Sequence, residues 1–502
     1  MTTTVDVEEE APVDTGADWR RLSPRMLAVH PVMELRRLIF PLIAVLIGVQ
    51  SGDGDAGWWA LGIGGIGIAL GFLRYFTTSY RITPIHVQLR RGLFRRRTLT
   101  VPRDRIRTVD VTSNVLHRVF GLARVTVGTG QTDKKNHGVK LDGLAAGAAE
   151  NLHRELLHRS PAAEEDVQPE TVLAALRPAW IRYGPFTLSG LVAIGVLFGL
   201  GSRLVNESHV DLTEIGPVHD SMDYLADRPL PVAILLVAAA VIVFTAVAST
   251  GGYILSFWNF RLSRHESGTL HVRRGLLTTR STTIEERRLR GVELSEPLLL
   301  RAVRGARVIA IATGLRVGRG AERGGSILLP PAPRAVAVDV AATVIGEAEP
   351  LTMALTTHGP RASLRRLTRA VTVSTVLVLV VLAFVLLASA PWWAFWTALV
   401  MLPLSMLLAR DRSAALGHAL AEDWLVSRHG SLVRRRYVLR TDAVIGWNLT
   451  TSVFQRRVGL TTLVATTAGG RQSYAIPDVD DAEALRVARA AVPGLLHQFL
   501  VD

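Results

Sequence analysis

No cysteine occurs among the 502 residues, which excludes a disulfide framework, a thiolate zinc or iron–sulfur site and a cysteine nucleophile together. Lysine is nearly as scarce. Lys134, Lys135 and Lys140 are the only three, so arginine supplies the rest of the 57 basic residues. No Gly-x-x-x-x-Gly-Lys-Ser/Thr phosphate loop, His-Glu-x-x-His metal helix or Gly-x-Ser-x-Gly nucleophile turn is present. The run Gly62-x-Gly64-Gly65-x-Gly67 has half the spacing of a dinucleotide loop, yet it sits in an apolar stretch with no strand before it. Gly67-x-x-x-Gly71 and Gly195-x-x-x-Gly199 read instead as helix-packing motifs. His153 and His158 stand five apart, the wrong offset for sharing one metal on a helix. The acidic pairs Glu285-Glu286 and Asp480-Asp481 read as solvated faces. The expectation is a protein that is not an enzyme and holds no cofactor or metal.

What is present points to a membrane. The chain is 49% hydrophobic and 20% charged, with a net charge of +14 and a mean hydropathy of +0.28. Six apolar runs contain no charged side chain: residues 38–50, 58–73, 186–202, 230–258, 370–388 and 392–409. The first two are shorter than the roughly 20 residues a bilayer core needs, but flanking arginines can snorkel to lengthen them. The runs pair as three hairpins. The second connector carries Glu207, Asp211, Glu214, Asp220, Asp223 and Asp227 against Arg203 and Arg228, and the first carries Asp53 and Asp55. The opposite side holds Arg20, Arg21, Arg25, Arg36, Arg37, Arg74, Arg81, Arg361, Arg365, Arg366 and Arg369. The positive-inside rule therefore puts the connectors outside and both termini in the cytoplasm. Residues 1–24 lack an apolar leader and read as a disordered cytoplasmic tail.

A segment repeats after each hairpin. Gly92 to Val101, Gly275 to Ile284 and Gly430 to Leu439 share a step of nine; Gly92 to Gly121 and Gly430 to Gly459 share a step of 29, and Gly275 to Gly305 is one longer. Val87, Leu89 and Leu93, then Leu99 and Val101, then Val125 and Val127 follow strand periodicity, with glycine at the hairpin apex supplying positive φ. A helix is expected after the strands of each repeat, at residues 141–157, 334–345 and 482–492, with Leu141, Leu144, Ala148, Leu152 and Leu156 on one face. The economical packing is a small antiparallel barrel or curled sheet capped by a C-terminal helix.

Val101, Pro102, Arg105, Ile106 and Val109, followed by Arg118, Phe120, Gly121 and Leu122, resemble the bacterial pleckstrin-homology-like (PH-like) membrane proteins of the YdbS/YdbT type. The second repeat keeps Arg288 and Gly305 but has Glu285 at the proline position and Arg304 at that of Phe120. The third has Arg440 and Ala443 where Pro102 and Arg105 stand, and keeps Arg456 and Gly459. The resemblance implies a multipass α-helical membrane protein with three α+β PH-like domains. The expected organisation is the tail (1–24), hairpin 1 (25–78), domain 1 (79–160), hairpin 2 with its acidic external loop (178–258), domain 2 (259–347), hairpin 3 (367–411) and a degenerate domain 3 (417–502).

In PH domains the first hairpin binds phosphorylated head groups, so the resemblance makes Arg90, Arg91, Arg95, Arg96, Arg97, Arg273, Arg274, Arg434, Arg435 and Arg436 candidate anionic-lipid contacts. Each Lys or Arg near an anionic leaflet gains about 1 kcal/mol. The same arginines equally fit a positive-inside signal or a charged edge that discourages strand addition. The reading is a scaffold or envelope-associated accessory factor of a bacterial plasma membrane, and the link to envelope stress is carried by resemblance. Alternatives are a protein partner of the same family or a homo-oligomer joined through sheet edges, and, less favoured, an uncoupled transporter or pore. No nucleic-acid partner is expected.

Overall fold

Alternation becomes strand where the pattern predicts it. In His86–Arg91, Val87 and Leu89 are buried while their neighbours lie nearer solvent. The computed structural model describes residues 19–27, 29, 76–92, 96–103, 106, 108–128, 139–157, 170–187, 195, 199, 216–314 and 326–494. Residues 1–18 of the expected tail, both apolar runs of the expected first hairpin (38–50 and 58–73), nearly all of the 186–202 run, Arg95 and Arg105 lie outside the described residues. The chain divides into two compact units: Met1–Glu164 with Leu204–Val210, and Glu165–Arg203 with Asp211–Asp502.

In the first unit, strands β1 (Arg20–Arg21), β2 (Ser79–Ile82), β3 (His86–Arg91) and β4 (Arg97–Pro102) form a four-stranded sheet in that order. Strands β5 (Thr108–Ser113), β6 (Leu122–Gly128) and β7 (Lys140–Ala145) then pair antiparallel in sequence. Val87, Val109, Leu122, Val125 and Leu141 fill the space inside, with Met26 packed among them. The helix expected from residue 141 begins only at Ala146, because Leu141 and Leu144 belong to β7. Gly143, at φ +85, makes a bulge that turns both leucines inward, and a bulged strand thereby mimics the three-residue spacing of a helix.

The second unit holds the same plan twice. Strands β8 (Glu170–Ala175), β9 (Arg261–His265), β10 (Thr269–Arg274) and β11 (Thr279–Glu285) pair antiparallel in that order. Strands β12 (Leu289–Pro297), β13 (Gly305–Ala312) and β14 (Ile327–Pro333) follow, then the helix Arg334–Ile345, stopped by Gly346 in the left-handed region. In the third repeat β15 (Gly417–Ala421), β16 (Trp424–His429) and β17 (Val433–Arg440) precede β18 (Val444–Thr450), β19 (Leu460–Thr467) and β20 (Ser473–Asp480). The closing helix Asp481–Ala491 starts where the Asp480 side chain accepts from the Ala482 N–H, and it buries Ala484, Val487 and Ala488. Each repeat is thus two antiparallel sheets and a helix, of the PH type.

Two features were not apparent from periodicity. Each first sheet gains a strand or bridge from the segment preceding its apolar stretch: β1 on β2, β8 on β9, and Thr356 bridged to His418. The second and third repeats are also fused, because β12 pairs with β17 to give one six-stranded sheet, β14-β13-β12-β17-β16-β15.

Three described helices are long and apolar enough to cross a membrane: Leu230–Phe257, Gly359–Leu387 and Trp392–Ala414. At about 1.5 Å per residue each exceeds the roughly 30 Å of a hydrocarbon core. The first ends inside a domain, where Tyr253 and Phe257 are buried and the Tyr253 hydroxyl donates to the Pro331 carbonyl at 2.9 Å. The other two are joined by the Ser374–Ser405 hydroxyl hydrogen bond at 2.8 Å, and Trp392, Trp393 and Trp396 are exposed near their connection, as in an interfacial aromatic belt.

Candidate functional site: the hairpin arginines and the helix ends

The three apex glycines adopt one conformation, with φ of +114° at Gly92, +107° at Gly275 and +104° at Gly430. A Cβ at Gly275 or Gly430 would lie 2.0 or 2.1 Å from the carbonyl oxygen three residues on, so glycine is required there. In the second and third repeats this turn lies against the end of an apolar helix. The Gly275 and Leu276 amides donate to the Trp258 and Leu255 carbonyls at 2.9 and 3.0 Å. In the third repeat Arg428 donates to the Ala415 carbonyl at 3.1 Å and Arg434 to Asp411 at 2.9 Å. Leu277 and Leu432, two residues past each glycine, are exposed.

The candidate arginines have unlike environments. In the first repeat Arg96 and Arg97 are exposed, Arg90 and Arg91 are half-buried, and the Arg90 guanidinium lies 5.7 Å from the Trp19 ring centroid. In the second, Arg273 is exposed whereas Arg274 is buried with its guanidinium 5.1 Å from the Phe257 ring centroid. In the third, all three are committed to protein partners. Arg434 shares Asp411 with Arg301, each at 2.9 Å; Arg435 lies 3.1 Å from the buried Glu293 across the β12–β17 seam; Arg436 donates to the Pro350 and Met353 carbonyls at 3.1 and 2.9 Å. Burial, with Arg428 and Arg334 close by, pushes Arg436 down to about 10, so it still carries its charge at neutral pH. Glu293 is pushed up by burial against the opposing pull of Arg471, Arg435 and Arg307. Sequence reasoning missed Glu293 and Asp411. Asp411 had a signal, as an acid inside Arg410-Asp411-Arg412 at the end of an apolar run.

A second polar cluster binds the helix Gly359–Leu387 to the third domain. Asp478, buried and at φ +61, occupies the bulge position that Gly143 holds in the first repeat. Its carboxylate accepts from Arg365, from Arg366 Nε at 2.9 Å and from Gln455 Nε2 at 2.9 Å. Nearby, His358 Nδ1 donates to the Pro477 carbonyl at 2.9 Å, which leaves His358 Nε2 to accept from His418 Nδ1 at 3.0 Å. His418 Nε2 faces Glu483 Oε1 at 3.0 Å. Burial pushes His418 below the ordinary imidazole range, outweighing the opposing pull of its hydrogen bond to Glu483 and of that carboxylate's charge. Arg486 first, and His418 after it, hold Glu483 down to about 2.

The repeat alignment shifts by one residue in the second domain. Gly121 and Gly459, at φ +64 and +67, precede β6 and β19; the residue preceding β13 is Arg304, at φ +56. Arg304, not Gly305, is therefore the counterpart of Gly121, and the spacing of 29 holds in all three repeats. Glu285, expected on a solvated face, is nearly buried and paired with Arg288 at 3.0 Å.

Paired antiparallel sheets with a closing helix, repeated and joined to long apolar helices, define a class of proteins built from PH-type domains. Residues 24–160, 212–348 and 367–490 each match the family model of the bacterial PH domain, and the chain belongs to that family. No curated protein and no solved structure matches it.

Proposed function

We propose that the chain is a non-catalytic, multipass membrane protein that displays three PH-like domains on the cytoplasmic face of a bacterial plasma membrane, where the hairpins of the first two read anionic head groups. The observation that carries this reading is the placement of an exposed leucine and flanking arginines on a turn hydrogen-bonded to the end of an apolar helix. Leu277 with Arg273 is the best case. An apolar tip beside exposed cations suits a leaflet boundary, where apolar atoms leave water and guanidinium groups meet phosphate. The third repeat supplies Leu432 but uses its arginines internally, so its hairpin serves attachment more than lipid reading. The domain-side ends of the helices carry Arg361, Arg365, Arg366, Arg410 and Arg412, which supports cytoplasmic domains under the positive-inside rule. The kinship to the YdbS/YdbT type and a role at the stressed envelope belong to the same proposal and rest on the motif of the first repeat.

The absence of cysteine permits a direct test. Leu277→Cys carrying an environment-sensitive fluorophore, in the full chain reconstituted into vesicles, should shift to the blue in anionic vesicles, and the shift should shrink with salt and with Arg273→Ala. Equal emission in neutral and anionic vesicles would overturn the lipid reading. For sidedness, Leu432→Cys is an exposed reporter, and its labelling by an impermeant maleimide in intact cells would overturn the orientation.

A further inference from the structure

The seam between the second and third repeats follows a pairing rule that two other strand edges leave unfinished among the described residues. The outer edge of β12, the first strand of a second sheet, pairs with the outer edge of β17, the last strand of the next repeat's first sheet. The counterpart of β12 in the third repeat is β18, and the order β18-β19-β20 leaves its outer edge unpaired among the described residues. The counterpart of β17 in the first repeat is β4, and the order β1-β2-β3-β4 leaves its outer edge unpaired in the same sense. We propose that β18 of one copy takes β4 of a second copy of this chain by antiparallel strand addition, in the register of β12 on β17, so that copies assemble head to tail.

Four observations carry this. First, β12 and β18 share an irregularity: pairing with the following strand slips between Leu289 and Gly291 in one and between Val444 and Gly446 in the other. Second, equivalent side chains are buried at the seam and bare at the free edges. Leu294 is 2% exposed and its counterpart Leu449 40%; Tyr437 is 4% exposed and its counterpart Leu99 37%. Third, Gly291 is required at the seam, since a Cβ there would lie 2.0 Å from the Val438 carbonyl oxygen of β17. The matching Gly446 has nothing within 4 Å, a glycine with no need in the isolated chain and an evident one once a strand docks. Fourth, β18 (Val-Ile-Gly-Trp-Asn-Leu-Thr) carries no charge or proline, the usual guards of an edge left open. On β4, Pro102 matches Arg440, which lies outside the seam's paired residues 433–439, so it does not interrupt the ladder. The seam's carboxylates Glu293 and Glu296 are replaced by Asn448 and Thr451, so the join rests on the backbone ladder and apolar contact and is insensitive to salt. That separates it from the lipid reading, on which it does not depend.

The register makes the test specific. Leu294 opposite Arg436, and Glu293 opposite Tyr437, place Leu449 opposite Thr98 and Asn448 opposite Leu99. Neighbouring pairs alternate between the two antiparallel site types, so one of these two presents the closer approach that suits a disulfide. Two differently tagged full-length chains, one carrying Thr98→Cys or Leu99→Cys and the other Leu449→Cys or Asn448→Cys, are co-expressed and mildly oxidised. The expected result is a mixed-tag disulfide dimer for at least one matched pair. It should fall at least tenfold for Thr98→Cys with Ile445→Cys, which is out of register, and be lost when Gly446→Val is added to the Leu449→Cys or Asn448→Cys chain. Unchanged thermal unfolding of Gly446→Val would show that the loss is not misfolding. The proposal is overturned by no mixed dimer in either matched pair, by equal yield out of register, or by cross-linking confined within a single doubly substituted chain, which would mean self-closure.

Discussion

Replacing Asp478 tests whether the apolar helix Gly359–Leu387 is locked to the third domain by charge. The carboxylate is nearly buried and accepts from Arg365, Arg366 and Gln455, and the two guanidinium groups are themselves 17% and 9% exposed. Removing one partner of a buried ion pair leaves an uncompensated charge, at a cost of about 3–5 kcal/mol. Asp478→Ala should fall in that range. Asp478→Gly also loses the acceptor, but it restores the residue the first repeat uses at this bulge and relieves positive φ, so it should recover about 1 kcal/mol relative to alanine. Asp478→Asn tolerates the backbone and keeps one acceptor oxygen, and should cost least of the three. Thermal unfolding of the purified full chain gives the order, and hydrogen exchange in β20 and at the start of the helix localises it. A loss below about 1 kcal/mol for Asp478→Ala, or alanine and glycine variants of equal stability, would refute the reasoning.

Acid should weaken the fold for a separate reason. Burial, then the neighbouring His418, depresses His358 to about 4, and burial with Arg435 nearest does the same to His429. A depressed histidine contributes stability that is present above its unfolded value near 6.5 and is lost as pH falls toward 4, roughly 3 kcal/mol for His358 alone. Denaturation midpoints measured from pH 7 to 4.5 should decline, and His358→Gln should flatten the curve; a flat wild-type profile contradicts the assignment. Arg304→Gly should stabilise the second domain by about 1 kcal/mol in a melting experiment, because arginine there holds a left-handed conformation that its two counterparts give to glycine. Gly430→Ala should cost more than about 2 kcal/mol through its clash with the Val433 carbonyl, while Gly446→Ala, with open space around it, should be silent in the same assay.

Much of this architecture was legible in one dimension. The runs at 230–258, 370–388 and 392–409 lie in helices, because a long apolar stretch without strand alternation or turn residues satisfies its backbone groups within the segment itself. The helix Gly359–Leu387 begins well before its apolar run, since Arg361, Arg365, Arg366 and Arg369 are compatible with helix and find acceptors or solvent there. The glycine spacing located all three hairpins, because a turn at φ near +105° admits almost nothing else. Where the reading slipped, at Leu141 and Leu144 and at Gly305, the cause was one residue of bulge or register, which periodicity cannot see.

Sequence by itself determined the repeat, the turns and the apolar helices, since each depends on residues within a few positions of one another and on local backbone preference. Only the tertiary structure decided what the charges do. Arg366 meets Asp478, Arg301 meets Asp411 and Arg435 meets Glu293 across more than a hundred residues of chain, and no local pattern encodes such a meeting. It also decided that β12 seeks β17. An edge strand's hydrogen-bonding groups are common to every residue, so which edge it joins is set by shape, bulge and neighbouring strands once the sheets exist.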